Sequence, residues 1–154
     1  MPESDDRNES PNERLDRNWD ELLQELRVLQ TGIQLLSGFL LTLPFTQVFA
    51  GLDDAQKSLY LALVVLAGVC VGVNLTPIML HRRVFGDHVK ERVVKVGHLF
   101  SQVVIVGIAL LIVGTAVLIF SVVVGWTAGL VAGAALAAVL ATLLALVPQR
   151  LAPR

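Results

Sequence analysis

A row of polar residues runs along one side of the first apolar segment of the chain. At 100° per residue, its members fall within an arc of about 120°; they are Asp20, Gln24, Arg27, Gln30, Thr31, Gln34, Gly38 and Thr42. We call this row the polar face. An unpaired carboxamide in hydrocarbon costs several kcal/mol, so the polar face is expected to meet protein or water. Its chemistry suits a path for an ion or a small solute.

Two further amides are expected at a similar depth in the membrane. Gln34 and Asn74 each lie roughly 10 Å inside the end of their apolar segment, and Gln102 occupies a matching position in the third segment. These three side chains are predicted to form a polar layer in the cytoplasmic half. The layer has two interpretations, a solute path or hydrogen bonds that hold helices together at about 1 kcal/mol each.

Charged and histidine residues mark the expected cytoplasmic boundary. Glu25 either gates a path there or forms a salt bridge with the charged segment 82–95. His81 and Arg82 suit an interfacial anchor that contacts anionic lipid headgroups, and His98 lies at the same boundary. The spacing of the histidines matches no metal motif, so neither a metal ion nor a cofactor is expected.

Constellations that could support catalysis are missing from the apolar segments. The runs 28–52, 58–81 and 96–149 contain no charged residue, and therefore no paired acids for acid–base chemistry. Cys70 is the single cysteine, which excludes an intrachain disulfide. Neither an enzyme nor a nucleic-acid-binding protein is expected.

The same uncharged runs identify the elements that must position the polar face. The chain has 154 residues, of which 55% are hydrophobic and 16% charged, and this excludes a soluble domain. A span needs roughly 20 apolar residues, and backbone hydrogen bonding in lipid requires helix. We predict an all-α integral membrane four-helix bundle over residues 18–148, between an acidic disordered tail, 1–17, and a short tail, 149–154. The predicted helices are 18–43, 57–79, 96–123 and 126–147.

The distribution of Lys and Arg predicts the orientation of these helices. The first 27 residues, the 82–95 segment and the C-terminus hold four, five and two basic residues, whereas Lys57 stands alone on the opposite side. Both termini are therefore expected in the cytoplasm, by the positive-inside rule. This predicts a multi-pass protein of the cell membrane whose constant partners are lipids.

Small residues recur at positions that favour close helix packing. The fourth segment carries Gly125, Gly129 and Gly133, each four residues from the next, and the second carries Gly68 and Gly72. Such stripes let two helix backbones approach closely. The partner helix lies either in the same chain or in a second copy. We expect packing within the chain together with a homo-oligomer, with other membrane subunits as further possible partners.

The stretch from Asn18 to Phe45, NWDELLQELRVLQTGIQLLSGFLLTLPF, resembles a family of small bacterial four-span membrane proteins of unknown function. The resemblance covers roughly residues 15–120 and extends to Pro77, His81-Arg82 and Phe85. The positions that carry it are Glu25, Arg27, Gln30, Thr31, Gly32, Gln34, Pro44, Pro77, His81 and Arg82. Members are sometimes labelled sodium:proton antiporters, which implies ion exchange but assigns no residue to it.

Two hypotheses for function follow. The first is an oligomer that conducts or transports an ion or a small solute along the polar face, which intramembrane polarity favours. The alternative is a non-catalytic accessory or scaffolding subunit of a membrane assembly, which the small-residue stripes favour.

Overall fold

Every element of the described chain is a helix or a helical turn. The computed structural model describes residues 11–83 and 90–151. The first half contains α1 (Pro11–Thr42), a 3-10 turn (Leu43–Phe45), α2 (Gln47–Ala50) and α3 (Asp54–Arg83). The second half contains α4 (Lys90–Val123), α5 (Trp126–Ala141), a π turn (Thr142–Leu146) and α6 (Val147–Leu151).

Four stretches of this chain are long and apolar enough to cross a membrane. They are Arg17–Phe45, Asp54–Pro77, Val96–Val123 and Trp126–Leu146. The predicted all-α membrane bundle with four spans is therefore confirmed. We refer below to its two ends as the Asp53 end and the Pro77 end, after the residues that lie there.

Helices α1, α3 and α4 share one core. Their buried residues recur at intervals of three, four or seven, the spacing with which helices interlock side chains along a left-handed crossing. On α1 these residues are Ile33 and Leu40, preceded by a smaller cluster of Trp19, Leu22 and Leu26; on α3 they are Tyr60, Leu63, Ala67 and Cys70; on α4 they are Val104, Leu111 and Leu118. The core is thus a three-helix cluster.

Helix α5 lies outside this cluster. Within the described residues it packs along α4 and makes no close backbone approach to α1 or α3. At the Asp53 end its first residue is tied to the loop before α3, because the Trp126 indole Nε1 donates a hydrogen bond of 2.9 Å to Asp53 Oδ2. The bundle therefore consists of three helices around a core and a fourth on the surface of α4.

The helices reach further into the charged segments than the hydropathy pattern predicts. Within the described residues, α1 is already helical at Pro11, seven residues before the predicted start at Asn18. One turn further on, Arg17 Nε lies 4.0 Å from Glu21 Oε1. Likewise α3 continues to Arg83 and α4 begins at Lys90. The remainder of the predicted tails, residues 1–10 and 152–154, lies outside the described residues.

The position of Pro148 suggests that the last helix ends there, but helical structure continues past it. The chain widens into the π turn Thr142–Leu146 and then continues as α6. Proline cannot bond to the carbonyl four residues before it, and its ring collides with that carbonyl in a regular α-helix. A wide turn directly before Pro148 relieves this conflict, so helical structure passes through it.

Candidate functional site

The polar face of α1 lies on the outer surface of the chain. The leucine-rich side of α1 packs into the three-helix core, which turns the opposite side away from α3 and α4. Side chains along the face are exposed at Arg27, Thr31, Gln34 and Thr42, and half-buried at Gln30. Within one chain, the described residues therefore leave the polar face uncovered by protein.

Hydrogen bonding divides the members of the polar face into two groups. Thr31 Oγ1 donates to the Arg27 carbonyl at 3.1 Å, and Thr42 Oγ1 donates to the Phe39 carbonyl at 2.8 Å. These hydroxyls are satisfied by their own helix and can face lipid. The Gln34 carboxamide has no hydrogen-bond partner among the described residues. Gln34 is thus the position where the face most needs a partner from outside the chain.

The three amides of the expected polar layer have different surroundings. Asn74 is 1% exposed, and its Nδ2 donates to the Leu26 carbonyl at 3.3 Å. Gln34 and Gln102 are exposed on the outer surfaces of α1 and α4. The structure therefore brings Asn74 into the core and does not bring all three amides together within one chain. The packing of α1 is the cause, since its leucine side lies against α3 and α4 and Gln34 lies opposite.

A groove opens on the outer surface between α1 and α3. This outer groove has a volume of about 320 Å³ and is lined by Ser37, Leu40, Leu41, Val64, Ala67, Gly68 and Val71. The Ser37 hydroxyl is enclosed there without a hydrogen-bond partner. A Cβ added at Gly68 or Gly72 would meet nothing within 4 Å. Within one chain, these two glycines of the small-residue prediction do not face another helix.

The stripe on α5 is used within the chain. A Cβ on Gly129 would lie 2.7 Å from the Val117 carbonyl oxygen, and one on Gly133 would collide with a Val117 methyl group. Glycine therefore allows α5 to lie directly on α4. Gly125 has a different role, because its φ of 122° is accessible to glycine and forms the turn between the two helices.

The boundary residues lie near the Pro77 end. Glu25 is exposed and lines a shallow pocket between α1 and α4 with Gln24, Val28 and Ile105. His98 is exposed on α4. His81 and Arg82 belong to α3, and their side chains lie outside what the structure describes. Among the described residues, no three His, Cys, Asp or Glu side chains are grouped closely enough to hold a metal ion.

At the Asp53 end, a polar cluster joins the ends of three helices. The backbone N–H of Gln56 donates a hydrogen bond to Asp53 Oδ1 at 2.7 Å, and the backbone N–H of Asp53 donates to Gln56 Oε1 at 3.0 Å. This reciprocal pair caps α3. Gln56 Nε2 also donates to Ser121 Oγ at 3.3 Å, which links α3 to α4. The Gln56 amide and then the Trp126 indole hold the pKa of Asp53 below its usual value.

Sequence reasoning did not identify the Asp53 cluster or the buried polar residues of α4. Ser101, Thr115 and Ser121 are all buried. They share the spacing of Val104, Leu111 and Leu118, so the periodicity of α4 could have identified them. Their small side chains are common in membrane helices and gave no signal by composition alone.

Residues 8–148 match a protein family described as "Family of unknown function (DUF6328)". The chain belongs to this family. The matched region contains all four spans and the whole polar face, and it includes the Asn18–Phe45 stretch that carries the resemblance. Comparison with curated proteins and with solved structures gave no match. The protein is a small multi-pass membrane protein of this family, and membership brings no activity with it.

Proposed function

We propose that the protein is the subunit of a homo-oligomer that conducts or transports an ion or a small solute, with the polar face of α1 lining the path between copies. The observation that carries this proposal is the outward position of the polar face. A carboxamide left among acyl chains is costly, and Gln34 has no partner among the described residues of its own chain. Other copies of the chain, together with water, supply what it lacks.

A second copy is a suitable partner because a carboxamide both donates and accepts hydrogen bonds. Two polar faces related by symmetry can therefore satisfy each other without any other protein. The outer groove beside the face supports this arrangement. Gly68 and Gly72 leave open space there, so a neighbouring helix can approach closely.

The length of the polar face supports a path rather than a single contact. From Arg27 to Thr42 the face extends roughly 22 Å along the helix, compared with a hydrocarbon core of about 30 Å. One interhelical hydrogen bond needs only one amide at one depth. A row of this length, assembled around a symmetry axis, provides polar groups through most of the membrane.

The second candidate is a non-catalytic accessory or scaffolding subunit of a membrane assembly. The outer groove is the observation that favours it, because its lining is apolar apart from the enclosed Ser37 hydroxyl and would accept a helix of a different protein. Both candidates are non-enzymatic. This agrees with spans that contain no acidic residue from 58 to 81 or from 96 to 149.

Flux through reconstituted vesicles tests the proposal. Gln34→Leu is expected to abolish flux of the conducted ion while the protein still inserts and assembles, because the substitution removes the amide of the path. Gln47→Leu makes the same chemical change in the exposed α2, outside the spans, and is the matched control. Na⁺, K⁺ and H⁺ are assayed separately with ion-sensitive dyes.

Two results would count against conduction. If the parent protein gives no flux of any ion or small solute, the scaffolding role is favoured. If Gln34→Leu and Gln47→Leu both retain parental flux, the path does not follow the polar face.

A further inference from the structure

Among the described residues, four enclosed side-chain atoms have no hydrogen-bond partner, on Ser37, Asn74, Ser101 and Thr115, and two of the four lie toward the Pro77 end. These two are Asn74 Oδ1 and Ser101 Oγ, on residues that are 1% and 3% exposed. Buried polar atoms in native proteins nearly always have a partner, either protein or ordered water. The proposed path along the outer face of α1 does not involve either atom.

Contacts between the helices place these two atoms at the same level. Leu22 faces Gly97, and Leu29 shares a pocket with Ile105, so α1 and α4 are parallel and Leu26 lies level with Ser101. Asn74 is bonded to the Leu26 carbonyl. All three residues are buried, and α1, α3 and α4 therefore place them at one level inside the bundle.

The register of α3 against α4 independently places Asn74 near the level of Ser101. Cys70 faces Gly107 and Leu63 faces Gly114, which makes these helices antiparallel. Continuing this register places Asn74 about two residues, or roughly 3 Å along the axis, from the level of Ser101.

Pro77 adds a third polar atom on the same side of α3. Proline has no N–H, so the Val73 carbonyl loses the bond that it would accept from the residue four positions later. Pro77 is almost fully buried and lies one turn from Asn74, so the Val73 carbonyl is on the same part of α3 as the Asn74 side chain. The Pro77 end thus contains an unpaired Asn74 acceptor, an unpaired Ser101 hydroxyl and a Val73 carbonyl to which Pro77 cannot donate.

We infer that an ordered water molecule binds between Asn74, Ser101 and the Val73 carbonyl. Water can donate its two O–H groups to Asn74 Oδ1 and the carbonyl, and it can accept from the Ser101 hydroxyl. Three such bonds are typical of a buried water. The three groups are all neutral, and so few neutral oxygens do not compensate for the dehydration of a cation. The site is therefore a water site that joins α3 to α4.

Water-edited solid-state NMR of the full chain in lipid bilayers tests this inference. Magnetisation is transferred from water protons to the Asn74 side-chain nitrogen, and the transfer is compared with that to Leu111, which is equally buried but apolar. We expect rapid transfer to Asn74 and none to Leu111. Ser101→Val is expected to abolish the Asn74 transfer, whereas Ser58→Val, the same change at an exposed position of α3, is expected to preserve it.

Two outcomes would overturn the inference. In the parent protein, transfer to Asn74 as low as that to Leu111 would show a dry site, and this comparison holds even if Ser101→Val fails to fold. An Asn74 signal that moves when Na⁺ or K⁺ replaces N-methylglucamine would show a cation in the site in place of water.

Discussion

At the scale of single residues, Asp53 connects more of the molecule than its exposed position suggests. Its carboxylate caps α3 through one oxygen and accepts from Trp126 at the start of α5 through the other. Both bonds favour the ionised form, which is why its pKa is lowered. A group whose pKa is lower in the folded state stabilises the fold above its unfolded pKa, and this contribution disappears as the pH falls through the folded value.

We therefore expect acid to weaken the Asp53 end of the bundle. In detergent, the parent protein should lose melting temperature as the pH falls through and below the ordinary aspartate value of 3.8. Asp53→Asn should melt below the parent at neutral pH, and the two should converge in acid. Thermal unfolding followed by circular dichroism provides the measurement.

Asp54→Asn is the control for this prediction, because the Asp54 carboxylate takes part in none of these bonds. Its melting profile should follow the pH dependence of the parent. A difference between Asp53→Asn and the parent that stays constant at every pH would contradict the linkage.

At the scale of the elements, Gly129 of α5 and Gly68 of α3 have opposite surroundings, because the first lies against α4 and the second faces open space. Gly129→Ala places a methyl group 2.7 Å from the Val117 carbonyl oxygen, where only a shift of the backbone relieves the contact. We expect it to destabilise the packing of α5 on α4 by about 1–3 kcal/mol. Reversible unfolding in mixed detergent micelles measures this change.

Gly68→Ala is the matched substitution in open space. Because nothing lies within 4 Å of the new methyl group, the single chain should be as stable as the parent or gain up to about 1 kcal/mol from the better helix former. In the proposed oligomer, this methyl group fills the groove that admits a neighbour. Analytical ultracentrifugation should then show weaker association with unchanged subunit stability.

Much of this architecture could be predicted from the sequence. The uncharged runs identify four spans, and the angular arithmetic separates the leucine side of α1 from its polar face. The sequence could not determine which side faces the core. Lipid is as apolar as leucine, so a leucine-rich side suits either a neighbouring helix or the membrane. The position of Gln34 on the surface therefore follows from how α1 packs against α3 and α4.

The positions of the other amides depended on contacts as well. Asn74 and Gln102 have the same type of side chain at similar depth, yet one is enclosed and the other exposed. Asn74 shares the three-and-four spacing of Leu63, Ala67 and Cys70, and that spacing predicts its burial. Asn74 donates its hydrogen bond to the Leu26 carbonyl. The choice of this acceptor depends on the register between α3 and α1, which no pattern within one helix encodes.

At the scale of the whole molecule, the orientation of the bundle is a prediction that the distribution of basic residues makes. With both termini in the cytoplasm, Lys57 faces outward and Arg150 faces the cell interior. In a Cys70→Ala background, Lys57→Cys should react with a membrane-impermeant maleimide on intact cells. Arg150→Cys should react only after the cells are permeabilised.

The reverse labelling pattern would invert the protein and place the Pro77 end outside. Labelling of both positions from one side would contradict the presence of three spans between Lys57 and Arg150.

Among the described residues, α5 packs along α4 and is joined to the loop before α3 by the Trp126–Asp53 hydrogen bond, and this has a consequence for how the chain crosses the membrane. The first three spans supply the residues of the main buried core, and α5 contributes none of those described. The last span packs on the surface of α4 and adds no described residue to that core. It adds a fourth crossing of the membrane. An even number of crossings returns the polypeptide to the side from which it started, whereas three crossings would leave its end on the opposite side.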